Sequence, residues 1–406
     1  MLRSSPKQSV IFTRSAWALL AGAAIALPAA AAISDTVHPF VSVGYSYEDN
    51  LLRLPDDTPG FTGSRSDTIR QEQAGVDFER PFGRQVLTAE AKVSRVNFDH
   101  YDQLNYNGKD YSAAWQWHLV ENFDGHLGGA YSQTLTPFTD FHVSELNLRT
   151  TRHEYADGTW RFFPSWQVHT GFTRDKFNYD LDIQQFNNRT EDAAEAGFDF
   201  LASSGSRFGF VARRLRGSYQ NQQSIGNIVL DNGYVQDEYK ANVFWTVSGV
   251  TQVQALVGWA KRKHNFFTDR DSSGANGRAT VIWRPLGLVK FTGIVWREFA
   301  AVESVLVNNS LNKGQSLEAS WDASAKLRVD ASLRHEKRDF SKLSGIVIPG
   351  SSTDVSRNVT AGVTYLPQQF VQFGISVFHE KRNGSPYIGT GDYTANGVSL
   401  TATGQF

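Results

Sequence analysis

The chain has 406 residues with 28 Phe, 14 Tyr, 10 Trp and 34 Gly, one methionine and no cysteine. Its 40 basic residues stand against 41 acidic ones. That balance excludes the basic excess of a nucleic-acid binder, and the missing cysteines exclude disulfides and thiolate metal sites. Aromatic and glycine enrichment favours strands joined by many turns.

The N-terminus carries Arg3, Lys7 and Arg14, then the apolar run "AWALLAGAAIALPAAAA", Ala16–Ala32. A positive flank, a short apolar core and small residues at its end predict a secretory signal peptide over residues 1–32. Residues 33–406 then form one domain. Beyond residue 32 no run approaches the roughly 18 apolar residues of a membrane helix, so a membrane protein here must cross with strands.

Period-two alternation recurs along the mature chain, and in an extended strand it separates two faces. "VSVGYSY" sets Val41, Val43, Tyr45 and Tyr47 against Ser42, Gly44 and Ser46. "YSAAWQWHL" opposes Tyr111, Ala113, Trp115, Trp117 and Leu119 to Ser112, Gln116 and His118. "EYKANVFWTV" opposes Tyr239, Ala241, Val243, Trp245 and Val247 to Glu238, Lys240, Asn242 and Thr246. "KLRVDASLRHE" opposes Leu327, Val329, Ala331 and Leu333 to Lys326, Arg328, Asp330, Ser332 and Arg334. "NVTAGVTY" and "VQFGISV" repeat the device, leaving Asn358, Thr360 and Gln372 on the polar face.

Short turns are expected near Pro81–Arg84, Glu121–Asp124, Pro164–Trp166, Ser203–Ser206, Gly249–Thr251, Arg284–Gly287, Ala323–Ala325 and Pro367–Gln369. Longer polar segments lie between them, near Asn50–Ser66, Asp99–Lys109, Thr134–Glu145, Phe177–Asn188, Tyr219–Gln236, Phe267–Asn276, Phe299–Leu311, Ser341–Ser352 and Lys381–Gly391. Eight turns and nine loops make seventeen connections and about eighteen strands, within a range of 16–18. Short turns at one end and long loops at the other define a transmembrane antiparallel β-barrel of the outer-membrane type, with periplasmic turns and extracellular loops.

The apolar face then meets lipid. Tyr45, Tyr47, Trp115, Trp117, Trp245, Trp259, Trp283, Trp296 and Tyr365 are expected as its interfacial aromatic girdles. The polar face lines a lumen, predicted to include Ser112, Gln116, His118, Glu238, Lys240, Asn242, Thr246, Arg278, Thr280, Lys290, Glu318, Asp322, Lys326, Arg328, Asp330, Arg334, Asn358, Thr360 and Gln372. In lipid a basic residue at mid-depth costs roughly 2–4 kcal/mol, whereas facing water it costs little. The final strand, "GVSLTATGQF", ends on Phe406, read as the signal for the barrel-assembly machinery.

Sites for chemistry are sparse. "RHEKRDF" (Arg334–Phe340) and "FHEKRNG" (Phe378–Gly384) share His-Glu-Lys-Arg at loop-side strand ends, where they could form a basic rim for acidic sugars or lipopolysaccharide phosphates. "DRDSSG" (Asp269–Gly274) lacks the closing glutamate of a calcium loop, and "LPDDT" (Leu54–Thr58) reads as a solvated acidic loop. No Gly-x-Ser-x-Gly elbow or phosphate-cradling glycine loop occurs, so neither catalysis nor a cofactor is expected. A loop folded inward, with Tyr219–Gln236 as the candidate, would occlude the lumen.

At "YSYEDNLLRLPDD" (Tyr45–Asp57) the chain resembles the EpsL-type outer-membrane proteins of exopolysaccharide operons. The likeness continues through "SDTIRQEQAGVDFERPFGRQ" (Ser66–Gln85), "FDHYDQLNYNGKDYSAAWQW" (Phe98–Trp117) and "LNLRTTRHEYADGTWRF" (Leu146–Phe162). It implies a porin-like barrel that carries a finished polysaccharide across the outer membrane, with periplasmic export partners and no catalytic residues. A general or sugar-uptake porin, and a structural barrel or adhesin displaying its loops, are the competing expectations. Expected partners are outer-membrane lipid and lipopolysaccharide, a polysaccharide cargo and the assembly machinery, and no nucleic acid.

Overall fold

The computed structural model describes residues 36–225, 228–266, 268–302, 309–341, 351–385 and 390–406. The expected signal peptide lies outside them. Nine strands precede residue 220: β1 (Val37–Glu48), β2 (Asp67–Phe82), β3 (Gln85–Phe98), β4 (Tyr106–Val120), β5 (Phe123–Leu135), β6 (Leu148–Phe163), β7 (Trp166–Tyr179), β8 (Arg189–Leu201) and β9 (Arg207–Tyr219). A three-residue hairpin, β10 (Gln223–Ile225) and β11 (Ile228–Leu230), sits in the loop that follows. Nine more strands complete the chain: β12 (Tyr234–Ser248), β13 (Thr251–His264), β14 (Ser272–Leu286), β15 (Val289–Ala301), β16 (Asn309–Ser324), β17 (Leu327–Phe340), β18 (Thr353–Gln368), β19 (Val371–Asn383) and β20 (Tyr393–Gln405).

Among the described residues, eighteen of these strands form one sheet in which each pairs antiparallel with its sequence neighbours. Strand β9 pairs directly with β12, passing over the small hairpin. The ring closes where β1 pairs with β20, from Phe40 opposite Gln405 to Glu48 opposite Gly397, and Phe406 N donates to Pro39 O at 2.8 Å. Closure satisfies every strand edge, which a sheet needs before it can stand in hydrocarbon. Eighteen strands 4.8 Å apart and tilted about 40° make a ring about 35 Å across.

All eight expected short turns are present in the expected order. Two of them need glycine: Gly83 (φ 63°) and Gly205 (φ 79°) occupy left-handed backbone that a side chain would strain. The long connections are shorter than expected, because strands continue past the apolar band. Strand β19 runs on through Lys381 to Asn383, and β14 already starts at Ser272.

The outward rows are apolar at mid-height. Val43, Leu127, Val257, Val281, Leu333, Ile375 and Leu400 are all between 41% and 53% exposed. A continuous belt of such residues is stable in lipid and not in water. Trp117, Trp160, Trp245, Trp283, Trp321 and Tyr365 each stand four residues ahead of a short turn, forming a ring at the periplasmic edge of the belt. Tyr45, Tyr47 and Trp259 stand outward toward the loop end, and Trp115 faces outward two residues before Trp117. Trp296 breaks the expected pattern. It is 6% exposed and faces inward, where its Nε1 donates to Glu336 at 2.9 Å. An indole with a buried acceptor in reach gains more from that bond than from the interface.

Among the described residues, an apolar cluster of buried side chains lies at the loop end. Leu51, Leu52, Leu54, Ile69, Val96, Phe98, Tyr101 and Leu104 pack together, with Phe61, Tyr106, Leu135 and Phe138 against them. Removing such side chains from water is worth about 1.5–3 kcal/mol each. They hold the first three long loops together as a cap over the mouth.

Candidate functional site: the lumen and its mouth

Strand register fixes which side chains enter the lumen. Ser112, Gln116, His118, Glu238, Lys240, Asn242, Thr246, Arg278, Thr280, Lys290, Glu318, Asp322, Arg328, Asp330, Arg334, Asn358, Thr360 and Gln372 all stand on inward rows. Lys326 does not. It lies in the exposed turn between β16 and β17, because the strand begins one residue later than the alternation suggests.

The two walls carry different chemistry. From β5 to β8, inward histidines donate to carboxylates on the next strand: His126 Nδ1 to Asp157 at 3.0 Å, His153 Nδ1 to Asp175 at 2.6 Å and His169 Nδ1 to Asp199 at 3.0 Å. From β12 to β17 the inward pairs are Lys240–Glu238 at 2.7 Å, Arg278–Glu298 at 2.7 Å and Arg334–Glu336 at 2.8 Å. Arg278 and Arg334 also cover Trp296, at 5.3 and 4.4 Å from its ring centre. Its indole therefore offers no free face for a sugar ring to stack on. Cations and carboxylates alternate, which opposes strong selectivity for either ion sign.

A strap crosses the mouth. The loop 136–147 leaves β5 and returns to β6, yet its Asp140 reaches β17, nine strands from β6 either way round the ring. Arg338 grips Asp140 with both ends of its fork, Nη1 to Oδ2 at 2.9 Å and Nη2 to Oδ1 at 2.7 Å. Arg382 Nη1 donates to Asp140 Oδ1 at 3.0 Å and also to Thr139 O. Asp354, fully buried, accepts from Arg338 Nε at 3.0 Å and Nη2 at 2.5 Å, so both arginines are held from behind. Bidentate, charge-assisted pairs of this kind are the strong ones. Burial alone would raise the Asp140 carboxyl, but Arg338 and Arg382 outweigh it and hold it well below the usual carboxylate range.

A second knot ties the first loop beside it. Arg53 Nη1 donates to Glu48 at 2.6 Å and its Nε to Glu380 at 3.1 Å, and Tyr393 Oη donates to the other Glu380 oxygen at 2.7 Å. Arg53 has φ 56°, a left-handed conformation costing about 1–2 kcal/mol, which its two buried ion pairs offset. Asn50 staples the same turn, its Nδ2 donating to Leu54 O at 2.8 Å and to Thr394 O at 2.9 Å. In the second loop, Asp67 Oδ1 accepts from the backbone of Thr68, Asp99 and His100 at 2.7–3.0 Å, and Oδ2 from Tyr101 N at 3.2 Å. The strap joins both: His142 Nδ1 donates to Leu52 O at 2.9 Å, and Gln103 Nε2 to Ser144 O at 3.1 Å. Burial, with Arg382 and Arg53 nearby, keeps the His142 ring below its ordinary pKa, hence neutral.

Sequence alone points to neither knot. The paired His-Glu-Lys-Arg motifs do carry a signal, since their Glu and Arg sit on inward parity while His and Lys sit outward. Nothing marks Asp140 in advance. The inward loop expected at Tyr219–Gln236 holds the small hairpin instead, and the strap across the lumen is 136–147.

A closed eighteen-strand barrel with an apolar outer belt, aromatic edges and a charged lumen is a porin-like outer-membrane β-barrel. Residues 245–406 match the family described as "Putative beta-barrel porin 2". No curated protein matches the chain. Among solved structures it is similar to OccK5 (OpdH) of Pseudomonas aeruginosa, with 12% identity, 93% of this chain and 100% of that one covered, and a TM-score of 0.48. OccAB3 of Acinetobacter baumannii gives 9% identity, 91% and 99% coverage and a TM-score of 0.47. The P. aeruginosa OccK2 (OpdF) complex with glucuronate gives 9%, 91%, 98% and 0.47.

Proposed function

We propose that the protein is a porin-like outer-membrane channel for small hydrated solutes, whose extracellular mouth is restricted by its own strap. The Asp140–Arg338–Arg382 tether carries this reading. It spans the ring from one wall to the other, so only what passes beside the strap can enter. Barrels of 16–18 strands otherwise leave a wide aqueous lumen. The match of residues 245–406 to a porin family supports the channel part of the reading. Conductance in planar bilayers, with sugars of increasing size as permeants in liposome swelling, tests it. A steady conductance with a cut-off near a mono- or disaccharide is expected. A barrel that never conducts, with or without the tether, refutes it.

Export of an exopolysaccharide is the second reading, and one observation favours it. The segments that resemble exopolysaccharide-operon proteins supply Glu48, Asn50, Arg53, Asp67, Phe98, Tyr101, Leu104 and Tyr106, which build the mouth closure. The resemblance thus falls on the first two loops, against which the strap packs. A polymer would need the strap withdrawn, so this reading requires that tether-free barrels pass oligosaccharides. Deleting the gene would also have to remove polymer from the cell surface.

A further inference from the structure

The outer face of β15–β19 changes character at one level. Its outward rows are apolar up to Val295, Leu317, Leu333, Val359 and Val377. At the next outward positions toward the loops stand Arg297, Gln315, His335, Arg357 and His379, and above them Lys313, Lys337 and Lys381. From Leu327 to His335 is about 26 Å of strand, or about 20 Å along the axis at a 40° tilt. That height approaches the ~25 Å apolar band of an outer-membrane barrel, so the basic residues stand at its loop-side edge.

Register puts like charges side by side. Arg297 opposes Lys313, which opposes Lys337, and one step below, His335 opposes Arg357, which opposes Lys381. Directly opposed like charges destabilise a sheet unless an anion joins them. Asp339 serves Lys313 at 2.7 Å and Lys337 at 3.5 Å. Among the described residues no carboxylate pairs with Arg297, Arg357 or Lys381. Outward cations elsewhere are mixed: Arg70 pairs with Glu72, Arg174 with Asp192 at 2.6 Å and Arg214 with Asp237 at 2.7 Å, whereas Arg152 opposes Lys176 on β6 and β7. The two His-Glu-Lys-Arg motifs explain both faces, because Glu336, Arg338, Glu380 and Arg382 turn inward to the tether while His335, Lys337, His379 and Lys381 turn outward.

We propose that this patch binds the phosphate groups of a phosphorylated glycolipid of the outer leaflet, held by Lys337, Arg357 and Lys381 with its acyl chains along the apolar rows below. Lysine and arginine clusters at a membrane surface recognise anionic headgroups in this way.

The test is native mass spectrometry of the detergent-solubilised mature barrel titrated with bisphosphorylated lipid A, with the same lipid after phosphate removal, and with inorganic phosphate. The triple variant Lys337→Gln, Arg357→Gln, Lys381→Gln should bind bisphosphorylated lipid A about 100-fold more weakly, each charge contributing about fivefold. Single variants Lys337→Gln and Lys381→Gln should each lose about fivefold, giving a readout if the triple variant folds poorly. Arg70→Gln, Arg174→Gln and Arg214→Gln together should change little. Equal binding by the dephosphorylated lipid, unchanged binding by the triple variant, or full competition by millimolar inorganic phosphate would each overturn the proposal. The last outcome would make it a free-anion site. Channel conductance should not respond to any of these variants, which separates this site from the proposed transport role.

Discussion

The periplasmic half of the barrel and its extracellular half follow different rules. Near the short turns, each strand sets an apolar row against a polar one, as Leu327, Val329 and Ala331 alternate with Arg328, Asp330 and Ser332. Lipid on one side and water on the other enforce that pattern. Toward the loops both faces are polar: His335 and Lys337 point out, Glu336 and Arg338 point in. There the chain is held by buried ion pairs and a small apolar cluster. One half is a solvent partition, and the other is a built lock. Damage to the first should cost stability, and damage to the second should change permeation.

The largest effect is expected at the tether. Removing one partner of a buried ion pair costs about 3–5 kcal/mol. Arg338→Ala should therefore release the strap, seen as higher single-channel conductance and proteolysis within 136–147, while the barrel keeps its heat-modifiable gel mobility. Leu104→Ala, at a site with 0% exposure in the mouth cluster, should cost about 2–5 kcal/mol of cap stability and loosen the same loops by hydrogen exchange. In the other half, Ala331→Arg on the lipid face should destabilise the barrel by about 2–4 kcal/mol in urea titrations and leave conductance per folded channel unchanged. Ser332→Arg, one residue on and facing water, should cost far less.

Acid should act on the lock. Burial lowers the His142 pKa, while the released loop titrates near the ordinary 6.5. The latched state therefore loses stability as pH falls below about 6.5, down to the lowered folded value. Asp140 is also held below its ordinary range by Arg338 and Arg382, so its contribution is fully present above the ordinary carboxylate pKa and is lost only as pH falls through that range. Open probability should rise as pH falls below about 6.5, and His142→Gln should flatten that rise. The smallest effect belongs to the exposed Lys313–Asp339 pair: Lys313→Gln should shift stability by about 0.2–1 kcal/mol or less.

The same division explains what the sequence makes legible. The barrel class, the eight turns and the inward rows follow from alternation, because a solvent difference across a strand is written at every second residue. Loop limits near Lys381 and Ser272 were less legible, since alternation vanishes where water bathes both faces. Lys326 shows how one residue of register at a strand start moves a side chain out of the lumen. Trp296 reads as a girdle residue by type, but its partner Glu336 is two strands away and forty residues on. The tether is the extreme case. Asp140 meets Arg338 across 198 residues and half the ring, a contact no local pattern encodes.

Because the chain contains no cysteine, the strap can be tested with thiols placed at will. Single-channel conductance of a barrel carrying Asp140→Cys and Arg382→Cys, before and after bridging by a short bifunctional thiol reagent, addresses the lock directly. The unbridged barrel should conduct well above the native level, and bridging should return it to that level. A pair that cannot be bridged, or a conductance indifferent to the bridge, would contradict a strap lying across the mouth.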